Sequence, residues 1–284
     1  MNKLIAIFTT KKLITFNILN LLGLQGLRYL LAKFFYQISS IFFLRKKDII
    51  DEYDKKGVVL RNDFLKKKFF NLVKQEFETI IKINIARNVY KDTDEANANK
   101  SINYFLYEFE DNKENKEQFP NLYKLSQLSQ IKEYFENAER KKNCKIFMRL
   151  ERVETIDREK NDVNSYWHVD TFHNTHKAWI YISDIEDKNG PFNYIEGSNR
   201  LSISRLIWEY YNSVIGIFKK NYKPFFLDKN LSLIKEQKLV VMTCPKNSFM
   251  IANTHGYHRR SYGEPGCLRD GITFYTRENP YKVI

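Results

Sequence analysis

The sequence predicts an α+β fold in which helices of the N-terminal half cover a β-sandwich or barrel formed by the C-terminal half. The first observation is that, up to about residue 142, apolar residues recur every three or four positions, which is the period of an amphipathic helix. The second is that apolar and polar residues alternate from Lys145 onward, as they do in a β-strand. A length of 284 residues fits one sizeable domain with appendages.

Two amphipathic helices account for most of the N-terminal half. The spacing predicts the first over residues 62–83 and the second after Pro120. Between them, residues 92–118 are polar and charged, so we expect a surface loop around a short apolar stretch at residues 104–109. The apolar positions are Leu65, Phe69, Val73, Phe77 and Ile80 in the first helix, and Leu122, Leu125, Leu128, Ile131 and Phe135 in the second.

Five stretches of the C-terminal half have strand character. Alternation predicts strands at residues 146–151 and 178–183, and apolar runs predict two more at residues 239–243 and 248–253. A last strand is expected over residues 269–276.

The last strand is polar on one face. Successive side chains of a strand point to opposite sides. One face of this strand therefore carries Arg269, Gly271, Thr273 and Tyr275, and the other carries the apolar residues between them. An interrupting segment, residues 206–222, has helical spacing and is expected to be an insertion near the mouth of a site.

The first 47 residues carry eight basic residues and no acid, between apolar runs at residues 13–27 and 34–44. These runs are short and diluted for a bilayer span. Two interpretations stay open: helices that pack on the core, or an interfacial helix that rests on anionic lipid. We therefore divide the chain into a basic, apolar helical segment (1–57) and one domain (58–284), with a helical half (58–142) and a β-core (143–278).

Composition excludes several classes. A hydrophobic fraction of 43% argues against general disorder, and three cysteines without CxxC spacing argue against a disulfide framework or a thiolate zinc site. The simplest interpretation is a reduced, cytoplasmic setting, with peripheral contact at a membrane surface as an alternative for residues 1–47. The net charge of +13 is spread along the chain and interrupted by acids, which favours a solvated basic surface over nucleic-acid binding.

All five histidines lie between positions 168 and 258. His168 and Asp170 are at i and i+2, so on an extended segment both side chains point to the same side. This is the relation of two ligands in a 2-His-1-carboxylate iron site, whose third histidine arrives from a distant strand. Such a site leaves three coordination positions open. The His-x-Asp triplet alone occurs often by chance, so its surroundings decide.

The surroundings resemble the phytanoyl-CoA dioxygenase family. The stretch 167–170 is followed by 177–184, by Asn-Gly-Pro-Phe at 189–192 and by Gly-Ser-Asn-Arg at 197–200. In that family a strand with the His-x-Asp pair precedes a Trp-containing strand, an Asn-Gly turn and a Gly-Ser-His-Arg segment. The stretch 253–259 is similar to the family's distal end, and the resemblance covers about residues 145–277.

The resemblance implies an iron(II)- and 2-oxoglutarate-dependent dioxygenase with a double-stranded β-helix core (jelly-roll, cupin-like). It implies that His168, Asp170 and a distal histidine hold iron, and that an arginine eleven residues after this histidine binds the far carboxylate of 2-oxoglutarate. His258 and Arg269 have this spacing, whereas His255 would lead to Gly266, so His258 is the predicted third ligand. The implied reaction consumes O2, hydroxylates a small-molecule or lipid-like substrate, and forms succinate and CO2.

The co-substrate pocket is expected to include Thr273, Lys177 and Trp179 besides Arg269. The alternative for Arg269 is a structural ion pair with Asp184 or Glu196. The chain departs from the family at Arg260, where relatives often carry a serine or threonine that helps to bind the same carboxylate.

Further residues are candidates for the substrate site. Arg149 and Arg152 could hold an acidic substrate group or form salt bridges. His173 and His176 are expected in a loop, either solvated or facing the substrate, with His173 the candidate contact. His255 is expected beside the ligands rather than on the metal.

Two other classes of function remain open. One is a catalytically silent β-barrel that binds a small ligand or metal. The other is a charge-driven binder of membrane surfaces that acts through residues 1–47. The sequence does not specify the substrate.

Overall fold

The structure, a computed structural model, describes residues 10, 18–43, 47–86, 102–157, 163–219 and 238–281. The helices are α1 (Leu24–Phe42), α2 (Lys47–Lys56), α3 (Lys67–Ala86), α4 (Lys113–Gln118), α5 (Pro120–Ser126), α6 (Ser129–Glu139) and α7 (Ile203–Phe218). The strands are β1 (Val58–Arg61), β2 (Ile102–Phe109), β3 (Ile146–Thr155), β4 (His176–Tyr181), β5 (Phe192–Ile195), β6 (Leu239–Met242), β7 (Phe249–Asn253), β8 (His258–Arg260) and β9 (Leu268–Thr276).

The strands form two antiparallel sheets. The larger has the order β1-β7-β4-β9-β3-β2 and the smaller the order β6-β5-β8. Their inner faces share one apolar cluster, in which Tyr181 and Met250 of the larger sheet lie with Phe192 and Met242 of the smaller one. The predicted α+β class with a two-sheet core is therefore confirmed.

The two faces of the larger sheet pack against different parts of the molecule. Ile180, Ile272 and Phe274 lie on the outer face and pack in the main core with helix residues such as Phe77 and Phe135. The inner face, toward the smaller sheet, carries the polar row of β9 that alternation predicted. Helices thus cover one face, and the other is left for a site between the sheets.

The segment at residues 92–118 differs from the expected loop. Its apolar stretch is β2, an edge strand that pairs with β3 along its whole length, while residues 87–101 lie outside the described residues. Phe105 and Phe109 are buried, which explains the pairing.

The helix predicted after Pro120 is also divided, since the backbone of Leu128 is extended between α5 and α6. Both helices still face the main core. The other two predicted helices are present as α3 and α7, with ends shifted by three to five residues from the predicted 62–83 and 206–222.

The described part of the N-terminal segment is in contact with the rest of the molecule. Helix α1 packs against α7, and the Tyr210 hydroxyl donates to the Leu21 carbonyl over 3.1 Å. Tyr53 of α2 belongs to the main core. No helix in the described ranges is long and apolar enough to cross a bilayer. The division into segments at residue 57 stays a prediction.

Candidate metal centre

Two chain segments bring the three predicted ligands together. His168 and His258 exchange backbone hydrogen bonds of 3.0 Å each, and the Asp170 amide donates to the Thr254 carbonyl over 2.9 Å. The His-x-Asp segment is thereby held against β8 and the turn before it. This turn is tightly packed, because a Cβ on Gly256 would collide with the Tyr194 hydroxyl and lie 2.9 Å from the Ser198 Oγ.

The ligand atoms of His168, Asp170 and His258 all lie within 4.8 Å of one another. Asp170 Oδ1 is 3.6 Å from His258 Nε2, and the two imidazole centroids are 4.3 Å apart. Among the described residues, this is the one group of three or more such side chains that lies close enough to share a cation.

Backbone carbonyls fix both imidazoles. Nδ1 of His168 is 2.8 Å from the Tyr166 carbonyl, and Nδ1 of His258 is 2.9 Å from the Gly256 carbonyl. Because a carbonyl only accepts, each Nδ1 carries a proton. In both rings Nε2 is therefore the nitrogen on which a metal can bind.

Protonation also suits cation binding. Burial, together with His258, lowers the pKa of His168 to about 4. Burial alone would raise the pKa of Asp170, but Lys177 and the two imidazoles hold it well below its usual range. At neutral pH the site thus offers a neutral His168 and an ionised carboxylate, which is the chemistry of a divalent-cation site.

Lys177 forms an ion pair with the carboxylate of Asp170. Its Nζ is 2.8 Å from Asp170 Oδ2. Trp179, two residues on, contacts Phe192 at a centroid distance of 5.2 Å, and Phe192 stacks on His258 at 5.4 Å. Phe192 is a contact that sequence reasoning missed, although it lies in the Asn-Gly-Pro-Phe stretch.

Arg269 and Thr273 lie on the inner face of the sheet, as alternation predicted. Thr273 is opposite Trp179 on β4 and opposite Arg149 on β3. Its hydroxyl is buried and has no hydrogen-bond partner among the described residues. A buried orphan of this kind costs free energy unless a ligand satisfies it.

Arg269 has no carboxylate partner in the described part of the chain. Its Nη1 donates to the Gly190 carbonyl over 2.6 Å. The alternative partners are engaged elsewhere, because Asp184 accepts from the Lys246 amide and Glu196 lies near Lys56 and Lys238. Burial and Arg260 lower the pKa of Arg269, and Tyr181 and Tyr104 act against that shift.

The guanidinium groups of Arg269 and Arg260, together with the orphaned Thr273 hydroxyl, make surroundings that fit an anion. Tyr181 lies near Arg269 as well. The sequence could have indicated this, because Tyr181 shares one face of its strand with Lys177 and Trp179. The same was not possible for Tyr104, since its strand was not predicted.

The substrate candidates are not brought together. Arg149 shares the inner face and forms an ion pair with Glu151. Arg152 lies on the opposite face and makes two 2.7 Å bonds to Asp270, so it lies away from the metal ligands.

The expectation that His173 and His176 are solvated is wrong. His173 is buried, with Nδ1 2.9 Å from the Asn174 carbonyl, and His176 begins β4 and bonds the Tyr53 hydroxyl at 2.6 Å. The reason is that α1 covers this loop, where Lys33 donates to Asn174 over 2.6 Å. His255 is also buried, and its Nδ1 lies 2.9 Å from the Thr171 carbonyl, directly after Asp170.

Solved structures have the same architecture. The epimerase SnoN, in complex with Fe3+, alpha ketoglutarate and nogalamycin RO, is 13% identical, with 81% of this chain and 82% of that chain covered and a TM-score of 0.54. EctD from S. alaskensis, with 2-oxoglutarate and 5-hydroxyectoine, is 13% identical over 84% and 79% of the two chains, with a TM-score of 0.53. AviO1 from Streptomyces viridochromogenes Tue57 is 12% identical over 82% and 96%, with a TM-score of 0.50.

No family model matches the chain, and no curated protein sequence matches it. The resemblance to the phytanoyl-CoA dioxygenase family thus stays a prediction. The structural likeness, at 10 to 13% identity, establishes the fold. The chain has the jelly-roll core of these proteins, as the sequence predicted.

Proposed function

We propose that the chain is an iron(II)- and 2-oxoglutarate-dependent oxygenase that hydroxylates a small-molecule or lipid-like substrate and forms succinate and CO2. The observation that carries the proposal is the convergence of the ligand atoms of His168, Asp170 and His258 within 4.8 Å. It occurs in a fold shared with SnoN and EctD, which were crystallised with 2-oxoglutarate, SnoN with iron as well.

The donor set fits iron(II). Two imidazole Nε2 atoms and one carboxylate make the 2-His-1-carboxylate set, which leaves positions for a co-substrate and for O2. Lys177 engages Oδ2 of Asp170 and leaves Oδ1 toward His258. In this proposal Lys177 is a positioning residue that keeps the carboxylate from binding through both oxygens.

The inner-face pocket fits 2-oxoglutarate. Arg269 would bind the far carboxylate through its guanidinium, and the Thr273 hydroxyl would donate to it. Trp179 contacts Phe192, which stacks on His258, and the two apolar rings would exclude water from a co-substrate bound there. Iron and 2-oxoglutarate, when bound, would activate O2 for the oxidation of an unactivated C–H bond.

The substrate side of the proposal rests on fewer contacts. Arg149 lies on the inner face beside Thr273 and is the candidate for an acidic substrate group. His173 is buried and comes three residues after Asp170 in the sequence, and it remains a candidate contact for the substrate. All three cysteines are free thiols, which supports a cytoplasmic location.

Uncoupled turnover tests the proposal without knowledge of the substrate. With iron(II), 2-oxoglutarate and O2, the purified chain should form succinate, and Asp170→Ala should reduce the rate at least a hundredfold. The matched control is Asp184→Ala, which removes a carboxylate that pairs with Lys246 at the surface and should leave the rate unchanged. A folded, iron-loaded chain that forms no succinate would favour the silent ligand-binding protein instead.

A further inference from the structure

Helices α1 and α7 are polar toward the protein and apolar toward the outside. Together they contain four charged residues, Arg28, Lys33, Arg205 and Glu209, and all four are buried. A helix on a water-facing surface shows the opposite arrangement, with charged side chains outward and an apolar stripe inward.

The buried charges are engaged inside the protein. Arg205 bonds Glu209 over 3.0 Å and the His255 carbonyl over 3.1 Å. Lys33 donates to Asn174 and to the Asn199 carbonyl, over 2.6 and 2.7 Å. The bond to Asn174 reaches the loop that follows Asp170, and the bond to His255 reaches the turn that precedes His258. The inner face of the helix pair thus supports the two segments that carry the proposed iron ligands, which we call the metal segments.

The outer face carries an apolar stripe on each helix, which on α1 is interrupted by the exposed Gln37. The residues repeat at three, four or seven positions, and their exposed fractions range from 38% to 79%. The two helices are in direct contact, and a Cβ on Gly26 would lie 3.6 Å from Leu206 Cδ1. The stripe residues are Leu27, Leu30, Phe34 and Ile41 on α1, and Ile203, Ile207, Tyr211 and Phe218 on α7. We call this surface the α1–α7 face.

The basic residues near α1 and α7 in the sequence indicate which kind of partner covers this face. The six other basic residues of positions 1–47 are Lys3, Lys11 and Lys12 before α1 and Arg45, Lys46 and Lys47 after it, and no acid occurs in that stretch. Lys219 and Lys220 follow α7 directly. Basic residues that flank apolar helices in the sequence favour association with anionic lipid, whereas a second copy of the chain would bring like charges together.

We propose that the α1–α7 face lies in the surface of an anionic lipid bilayer, with its apolar stripes among the acyl chains and the flanking lysines and arginines at the headgroups. The helices lie in the plane of the membrane rather than across it. Because the same helices support the metal segments, the lipid surface is about one helix diameter, roughly 10 Å, from those loops. The proposal goes beyond the oxygenase activity and does not depend on it.

Vesicle co-sedimentation of the full chain tests the proposal. The chain should sediment with vesicles of equal parts phosphatidylserine and phosphatidylcholine, and less so in high salt or with phosphatidylcholine alone. Leu27→Gln combined with Ile207→Gln should weaken binding at least tenfold. The matched control is Leu72→Gln combined with Ile83→Gln, which removes one exposed leucine and one exposed isoleucine from α3 and should change nothing.

Three results would overturn the proposal: no sedimentation of the wild-type chain, equal effects of the two double variants, or a dimer that only the α1–α7 variant dissociates. The last would identify a second copy as the occupant. If the variant fails to fold, hydrogen exchange of the wild-type chain decides, because vesicles should protect residues 18–43 and 201–219 and leave α3 unchanged. Absence of that protection would also reject the proposal.

Discussion

The two carboxylate oxygens of Asp170 face different partners. Oδ2 lies 2.8 Å from Lys177, and Oδ1 faces His258. The i, i+2 spacing predicted that His168 and Asp170 point to one side, because that follows from the strand period alone. The pair with Lys177 could not be predicted, since it depends on the path of residues 171–175, which Thr254 and α1 hold in place.

Arginine side chains on β3 show the same limit. Arg149 and Arg152 are three positions apart, so alternation indicates opposite faces. Nothing in the sequence says which face is inside. The answer depends on helices α3, α5 and α6, which cover the outer face.

Arg269 should control affinity for 2-oxoglutarate rather than the chemical step. We expect Arg269→Lys to raise KM for 2-oxoglutarate at least tenfold, about 1.4 kcal/mol, because lysine cannot make two parallel bonds to a carboxylate. The effect on kcat at saturating 2-oxoglutarate should be smaller. Steady-state succinate formation measures both.

Arg152→Lys is the control for this prediction. It makes the same replacement on the neighbouring strand, on the opposite face, where Asp270 is the partner. KM should be unchanged in this variant. Equal effects of the two replacements would place the carboxylate of 2-oxoglutarate elsewhere.

At the scale of elements, long periodic segments were predictable and short ones in polar surroundings were not. Helices α3 and α7 and strands β3, β4, β7 and β9 follow the periods of the sequence. Strand β2 was missed because the polar and charged residues around it, such as Asn97, Asn99 and the run 111–117, indicate a surface loop. Its structure comes from pairing with β3, which is information from a distant part of the chain.

The junction between α6 and β9 should make stability depend on pH. Glu139 at the end of α6 is buried and accepts from the Thr276 hydroxyl. Burial raises the pKa of Glu139 from 4.5 to about 8, and the Thr276 bond acts against this shift. A carboxyl group whose folded pKa is raised favours folding fully below its unfolded pKa, and this contribution is lost as pH rises through the folded pKa.

The free energy of unfolding of the wild-type chain should therefore fall between about pH 4.5 and 8. Glu139→Gln should remove this fall. One pKa unit corresponds to about 1.4 kcal/mol, so we expect the variant to gain roughly 3 to 4 kcal/mol relative to wild type between pH 5 and pH 8. Urea unfolding of both proteins at the two pH values measures the difference.

Glu136→Gln, on the same helix and partnered by Lys132, is the control and should show no comparable pH dependence. A Glu139→Gln effect of the same size at pH 5 and pH 8 would show that Glu139 does not ionise in this range.

At the scale of the whole molecule, the metal segments lie between the two sheets and the α1–α7 pair. Periodicity predicted a helix at residues 206–222, and the apolar runs of residues 1–47 left core packing and an interfacial helix both open; a helix on a water-facing surface would turn its apolar face inward. The structure shows the reverse, because Arg205 and Lys33 are needed inside to bond the loops around His255 and Asn174. This arrangement joins the proposed lipid surface to the proposed iron site through one pair of helices.

The central claim is that His168, Asp170 and His258 hold iron together with 2-oxoglutarate. Anaerobic titration of the chain with iron(II) and 2-oxoglutarate, followed by visible absorption, tests it most directly. A weak charge-transfer band should appear in the wild-type chain only when both are present, and should be absent in His168→Ala. A folded wild-type chain without the band, or a band that persists in His168→Ala, would contradict the claim.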